Sequence, residues 1–291
     1  MALCRPQVHA VFSSVSWQNS GDWAAKAARD KATRMPPNTI GWVCVLGCEQ
    51  DAARAFLDKE HEGLPNPHDQ NAYIVGRRGK HNIVIARLIG LRKANTADTA
   101  ANMLRTFTQI HFGLLAGVGG APQTAPDEFG RRNDIRLGDV VVSKPQKDHV
   151  GLTYFRLPGG EHDLLFCATH CDPSQIMDRV PRPGDRPSVH YRLIASAVTT
   201  VRCPTFGDRL RRSNKVPRFE QEAAGLLDHF PHLVIWGIAD YADSHKSKKW
   251  QPYAAVIAAT YGKDLLAVIH LQEVAERTLA AEVSGGMYEC P

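Results

Sequence analysis

The chain has 291 residues, of which 43% are hydrophobic and 22% charged, and a formal net charge of +5. That composition is ordinary for a soluble globular protein and gives enough chain for one large core or two small ones. The arginines are dispersed (Arg131, Arg132, Arg136, Arg209, Arg211, Arg212), with no basic run interleaved with aromatics, so a nucleic-acid partner is not expected.

In chain order, residues 1–38 have mixed polarity, few apolar repeats and a closing Pro36-Pro37. They read as an N-terminal extension, with one short helix possible over Trp23 to Ala32, and residues 39–291 as a single α/β domain. A strand starts at Thr39 and runs through Ile40 to Leu46, and Glu49 opens a helix whose apolar face carries Ala52, Ala53, Ala55, Phe56 and Leu57. Tyr73 to Val75 and Asn82 to Ala86 form a hairpin turned by Gly79-Lys80-His81, and a helix follows from about Thr96 to Gln109. His111 to Ala116 is a buried strand ending in the glycine turn Gly117-Val118-Gly119-Gly120. Asp134 to Asp139 turns into the strand Val140 to Ser143, and Asp178 to Ser188, rich in proline and arginine, reads as an exposed loop. Val189 to Ala197 is one further strand, and Val234-Ile235-Trp236 is a buried one with Asp240 just past its carboxyl end. An amphipathic helix from Pro252 to about Arg277 closes the pattern. Strands alternating with helices point to a three-layer α/β/α domain around a mixed sheet.

The seven cysteines are an odd number with no secreted framework, which suggests reduced thiols in an oxidant-poor compartment. No apolar run of ~18 residues is present, so no membrane span is expected. The first residues lack the basic-then-apolar pattern of a secretory leader, and the expected location is the cytoplasm. His162, Asp163, Cys167, His170 and Cys171 have metal-ligand chemistry without a clean zinc spacing, so no metal site is expected.

Two acidic clusters carry the most information. Phe219-Glu220-Gln221-Glu222-Ala223-Ala224-Gly225 and Ile238-Ala239-Asp240-Tyr241-Ala242-Asp243-Ser244 bracket one short apolar strand. A carboxylate at a strand's carboxyl end, with a second at the start of the preceding helix, suits a hydroxyl-rich ligand and a proton donor. The pair resembles the motifs Glu-Met-Glu-Ala and Ser-Asp-x-Ala-Asp of the nucleoside phosphorylase / methylthioadenosine nucleosidase superfamily. The nearest resemblance is to its fungal branch, often fused to immune-receptor modules, whose tail reads almost as Asp240 to Lys246 does.

The resemblance implies roles residue by residue. Asp240 would protonate the departing base, Glu222 would grip the ribose hydroxyls, and Glu49, in Leu46-Gly47-Cys48-Glu49, would activate water. By the same likeness Gly117, Gly119 and Gly120 lie under the ribose, Gln221 borders the sugar, Phe219 is a further substrate-binding candidate, and Thr200 and Val201 belong to a segment of the base pocket. Arg92 falls in the loop after Ala86-Arg87-Leu88 and either faces solvent or holds a substrate phosphate. Each carboxylate also has a plain structural alternative, Glu49 as helix-dipole partner, Asp240 as a turn cap and Glu222 as a surface residue. The sequence departs from the family at Gln221, where a methionine is usual, and at Ala197 to Val201, where relatives carry Gly-Asn-Gln-Val-Ile. It also lacks a long stretch after Val140–Ser143.

The expected activity is hydrolysis of the N-glycosidic bond of a purine nucleoside, or of its 5′-modified or phosphorylated form, with no cofactor. The partner is a small-molecule substrate, and by family likeness the chain assembles as a homo-oligomer. The alternatives are phosphate-dependent phosphorolysis, a lyase, isomerase or cyclase on the same fold acting on a non-nucleoside, and a non-catalytic ligand-sensing module.

Overall fold

The computed structural model describes residues 39–61, 71–88, 93–121, 134–144, 152–155, 186–192, 194–197, 219–220, 232–242 and 248–270, with isolated positions at 182, 184, 272, 274, 276 and 278–280. The N-terminal extension, Arg92, Thr200, Val201, Gln221, Glu222 and the His162–Cys171 cluster lie outside them.

The first strand, β1 (Thr39–Cys44), is followed by helix α1 (Gly47–Ala55) and a short β2 (Lys59–His61). Next come β3 (Tyr73–Arg78), β4 (His81–Arg87), helix α2 (Lys93–Thr106) and β5 (Ile110–Gly120). The strands β6 (Val140–Ser143), β7 (Leu152–Phe155), β8 (Val189–Arg192), β9 (Ile194–Ala197), β10 (Phe219–Glu220) and β11 (His232–Asp240) lead to a 3-10 turn at Lys248–Trp250 and helix α3 (Gln251–Val268). All the strands belong to one mixed sheet, with the path β2-β3-β4-β1-β5-β10-β9-β7 and with β11 joining β5 to β6, and β6 joining β8.

Alternation along the strands divides the core in two. Val43, Leu115, Val234, Trp236 and Ile238 pack with Ala100, Met103 and Leu104 of α2 and with Phe107 just past its end. Trp42, Cys44, Leu114, Ala116 and Ile235 pack on the other face, with Ala52 and Ala53 of α1 and Ala255, Ala258 and Leu265 of α3. This is the three-layer α/β/α arrangement expected from the sequence. Among the described residues no helix is long and apolar enough to cross a membrane.

Several boundaries differ from the sequence expectation. β1 stops at Cys44, and Leu46 instead becomes the residue that caps α1. Helix α2 starts at Lys93 and ends at Thr106, one turn earlier than its apolar pattern suggests, and α3 ends at Val268. The glycine run is no turn. β5 continues to Gly120 because parallel β11 pairs with it from Gly113 to the end, so neighbouring main chain supplies the order that glycine lacks. Val189 to Ala197 splits into two strands, β8 on β6 and β9 between β7 and β10. Asp240 is the last residue of β11 rather than a residue beyond it.

Candidate functional site

Strand β5 is the spine of the site. Its first half lies parallel to β1, and its second half lies parallel to β11 and receives β10 antiparallel at Gly120. Two carboxylates reach its terminal glycines from different directions.

Glu49 is the third residue of α1 and is 2% exposed. Its Oε2 accepts N–H bonds from Val45 at 2.6 Å and Leu46 at 2.9 Å. The second is half of a capping box; Leu46, having no side-chain acceptor, cannot supply the other half. Its Oε1 leaves the helix altogether and accepts the Val118 N–H at 2.7 Å, across 69 residues of sequence. A Cβ on Gly117 would stand 2.5 Å from that oxygen, so only glycine admits the carboxylate there. Glu49 thus caps its helix and also joins α1 to β5. The ionised carboxylate, which only accepts, suits this set of three donors.

Asp240 is 5% exposed. The register between β5 and β11 shifts between Ile238 and Asp240, so that Asp240 stands opposite Gly120. Bulges of this kind re-aim a side chain. Its Oδ1 accepts the Ala242 N–H at 2.9 Å, and its carbonyl accepts the Ala121 N–H at 2.9 Å. A Cβ on Gly120 would collide with Oδ1. Ala242 itself takes φ 56°, a left-handed conformation costly for a residue with a side chain. Strain of this kind at a buried carboxylate is a frequent mark of a functional position.

Glu49 and Asp240 therefore bear on Gly117 and Gly120, three residues apart on one extended strand, or about 10 Å along its axis. Gly119 lies between them, opposite Ile238. The main chain of Phe219 pairs with Gly120, which brings the start of the Glu-x-Glu motif to the same strand end. Its carboxylate Glu222 lies two residues beyond the last described residue of that segment.

Burial, and then the charge of Glu49, push the thiol of Cys44 well up, and the thiol of Cys48 is raised by the same two causes. Both are free and remain protonated thiols, without the character of nucleophiles. Arg87, exposed at the end of β4, brings its Nη1 to 3.4 Å from where a Cβ on Gly47, at the start of α1, would stand. Its only sequence signal was its place at the end of a predicted strand.

A second polar cluster went unread in the sequence. Asp139, which enters β6, is 2% exposed and accepts four donors. Arg182 Nη1 (2.7 Å) and the Ser188 N–H (3.0 Å) donate to Oδ1, and the Arg136 N–H (2.8 Å) and His190 Nε2 (3.0 Å) to Oδ2. Burial alone would raise this carboxyl; the bonds from His190, Arg182, Arg136 and Ser188 win and hold it well below the usual carboxylate range. Arg182 and Ser188 are thus partly buried partners of Asp139 and not parts of a freely exposed loop, as the sequence had suggested.

This architecture, a mixed sheet between flanking helices, is the nucleosidase/phosphorylase-like α/β fold. The chain superposes on the 5′-methylthioadenosine/S-adenosylhomocysteine nucleosidase of Neisseria meningitidis with a TM-score of 0.57 and 17% identity, covering 80% of this chain and all of that one. The Streptococcus pneumoniae MTA/SAH nucleosidase gives 0.57 and 20% identity over 79% of this chain and all of that one. The futalosine hydrolase of Helicobacter pylori gives 0.57 and 16% over 80% of this chain and 98% of that one. In sequence the chain is similar to a nucleotide-binding leucine-rich repeat (NLR)-like protein of Hyaloscypha variabilis, at 31% identity over 84% of this chain. It spans 31% of that relative's length. No family model matches the sequence.

Proposed function

We propose that the chain hydrolyses the N-glycosidic bond of a purine nucleoside or a 5′-modified derivative. The observation that carries this reading is the approach of Glu49 and Asp240 to Gly117 and Gly120 of one strand, in a fold shared with nucleosidases. Breaking an N-ribosidic bond requires a proton for the departing base, stabilisation of a cationic sugar and a nucleophile at the anomeric carbon. Asp240 is the acid that protonates the base. Glu49 takes a proton from the attacking water while staying anchored by main-chain donors. Glu222 holds the ribose hydroxyls, with Gln221 and Phe219 beside the sugar and Thr200 and Val201 beside the base. The glycines give the sugar close access to the strand. Residues 39–291 form the catalytic unit, which acts in the cytoplasm as a homo-oligomer.

Arg87 favours a narrower version of this reading, in which the 5′ group is anionic. An exposed guanidinium next to the first residue of the helix that carries Glu49 is suited to phosphate or carboxylate. Arg92 is a second candidate for the same group.

The reaction is tested in water enriched in oxygen-18 without added phosphate. Hydrolysis gives free base and a sugar with one solvent oxygen at its anomeric carbon. Base release that requires phosphate and yields a sugar 1-phosphate would replace hydrolysis by phosphorolysis.

A further inference from the structure

The Asp139 cluster is too far organised for a simple turn. Each carboxylate oxygen receives two donors, four in all, which fills the capacity of the ionised group. Those donors come from three separate segments: Arg136 on the same turn, Arg182 on the preceding loop, and Ser188 and His190 at β8. Arg182 is further tied to Asp134, which also pairs with Arg136 at 2.6 Å. The carboxylate is therefore the centre of a closed knot.

What the knot holds is the entry to β6, and β6 is the antiparallel neighbour of β11. Gly237, Trp236 and Ile235 pair with Val140, Val141 and Val142. Beyond them the ladder is continued by the turn itself: the Ile238 N–H donates to the Asp139 carbonyl at 2.9 Å, and the Gly138 N–H donates to the Ile238 carbonyl at 2.8 Å. Ile238 is the last residue before the register shift that sets Asp240 against Gly120. On the other side of the shift, Asp240 is held by Ala121 and Ala242. The bulge is thus clamped at both ends, and Asp139 makes the clamp on the β6 side.

We infer that Asp139 is a positioning residue for Asp240, acting through the Gly138–Asp139 turn and the main chain of Ile238. The inference rests on the reading of Asp240 as the acid. A buried bulge leaves a short side chain free to swing with its backbone, and an error of about 1 Å at a proton donor can cost about 10²-fold in rate. Fixing Ile238 removes that freedom.

The test compares the full chain with Asp139→Asn and Arg182→Gln. Asparagine has one acceptor oxygen and sets an amide N–H against two of the four donors, whereas Arg182→Gln removes one donor and keeps the carboxylate if the first variant folds poorly. Amide exchange is followed residue by residue, with turnover of the nucleoside substrate measured beside it. Exchange at Ala121 and Ala242 should quicken about tenfold or more in both variants, while Val43 and Leu114 keep their protection. kcat should fall with KM nearly unchanged. Quickening shared equally by all strands, or none at Ala121 and Ala242, overturns the inference. If the unaltered chain releases no base from any nucleoside, the nucleosidase reading falls, and the exchange pattern alone decides whether Asp139 positions Asp240.

Discussion

Glu49 and Asp240 are both buried carboxylates, yet they are held in different ways, and their amides should fail differently. Glu49 receives three main-chain donors divided between its two oxygens. Glu49→Gln keeps one oxygen and turns an N–H toward a donor, so unfolding in urea should show a loss of about 1–3 kcal/mol along with loss of turnover. Asp240 accepts the Ala242 N–H at its Oδ1, a bond that an asparagine oxygen can keep. Asp240→Asn should therefore unfold near the midpoint of the unaltered chain and lower kcat by about 10²-fold or more, the mark of a lost general acid. Full turnover in a well-folded Asp240→Asn would take Asp240 out of the chemistry and leave it a cap for Ala242.

At the scale of elements, the packing of α3 on β11 sets how the site end of the sheet is supported. A Cβ on Gly237 would run into the backbone of Ala254, so helix and strand touch main chain to main chain there. Because neither backbone can yield, Gly237→Ala should destabilise by about 1–3 kcal/mol in thermal or urea unfolding, and unchanged stability would show that α3 rests more loosely than described. The same elements show what could be read in advance. The apolar runs of β1, β5 and β11 and the apolar stripe of α3 locate themselves, because each buries a face that composition reveals. Glu49 and Asp240 were found from their motif likeness and their places near strand ends. The strand character of Gly117–Gly120 was hidden, since the order comes from β11, more than a hundred residues on. The bulge at Asp240 depends on register, which no local pattern encodes. Asp139 looked like a turn residue because three of its donors come from beyond residue 180.

For the whole molecule, Asp139 predicts how stability depends on acidity. Its folded carboxyl lies below the ordinary range, despite burial that acts the other way, because of the donors from His190, Arg182, Arg136 and Ser188. A depressed carboxylate contributes stability that is complete above its unfolded value, about 4, and is lost as pH falls toward the folded one. The urea midpoint of the unaltered chain should therefore exceed that of Asp139→Asn at about pH 5, and the margin should shrink as pH drops below about 4. A margin that grows in acid would mean the carboxylate is not held ionised by this knot.

We propose that Glu49 and Asp240 act together at the end of β5 to cleave an N-glycosidic bond. This is tested most directly by incubating the unaltered chain, Glu49→Gln and Asp240→Asn with a panel of purine nucleosides, with and without 5′-thioether or 5′-phosphate groups, in phosphate-free buffer, and measuring free base by chromatography. Release by the unaltered chain, lowered by about 10²-fold or more in both variants, is the predicted result. No release from any member of the panel, or equal release by all three proteins, would contradict the claim.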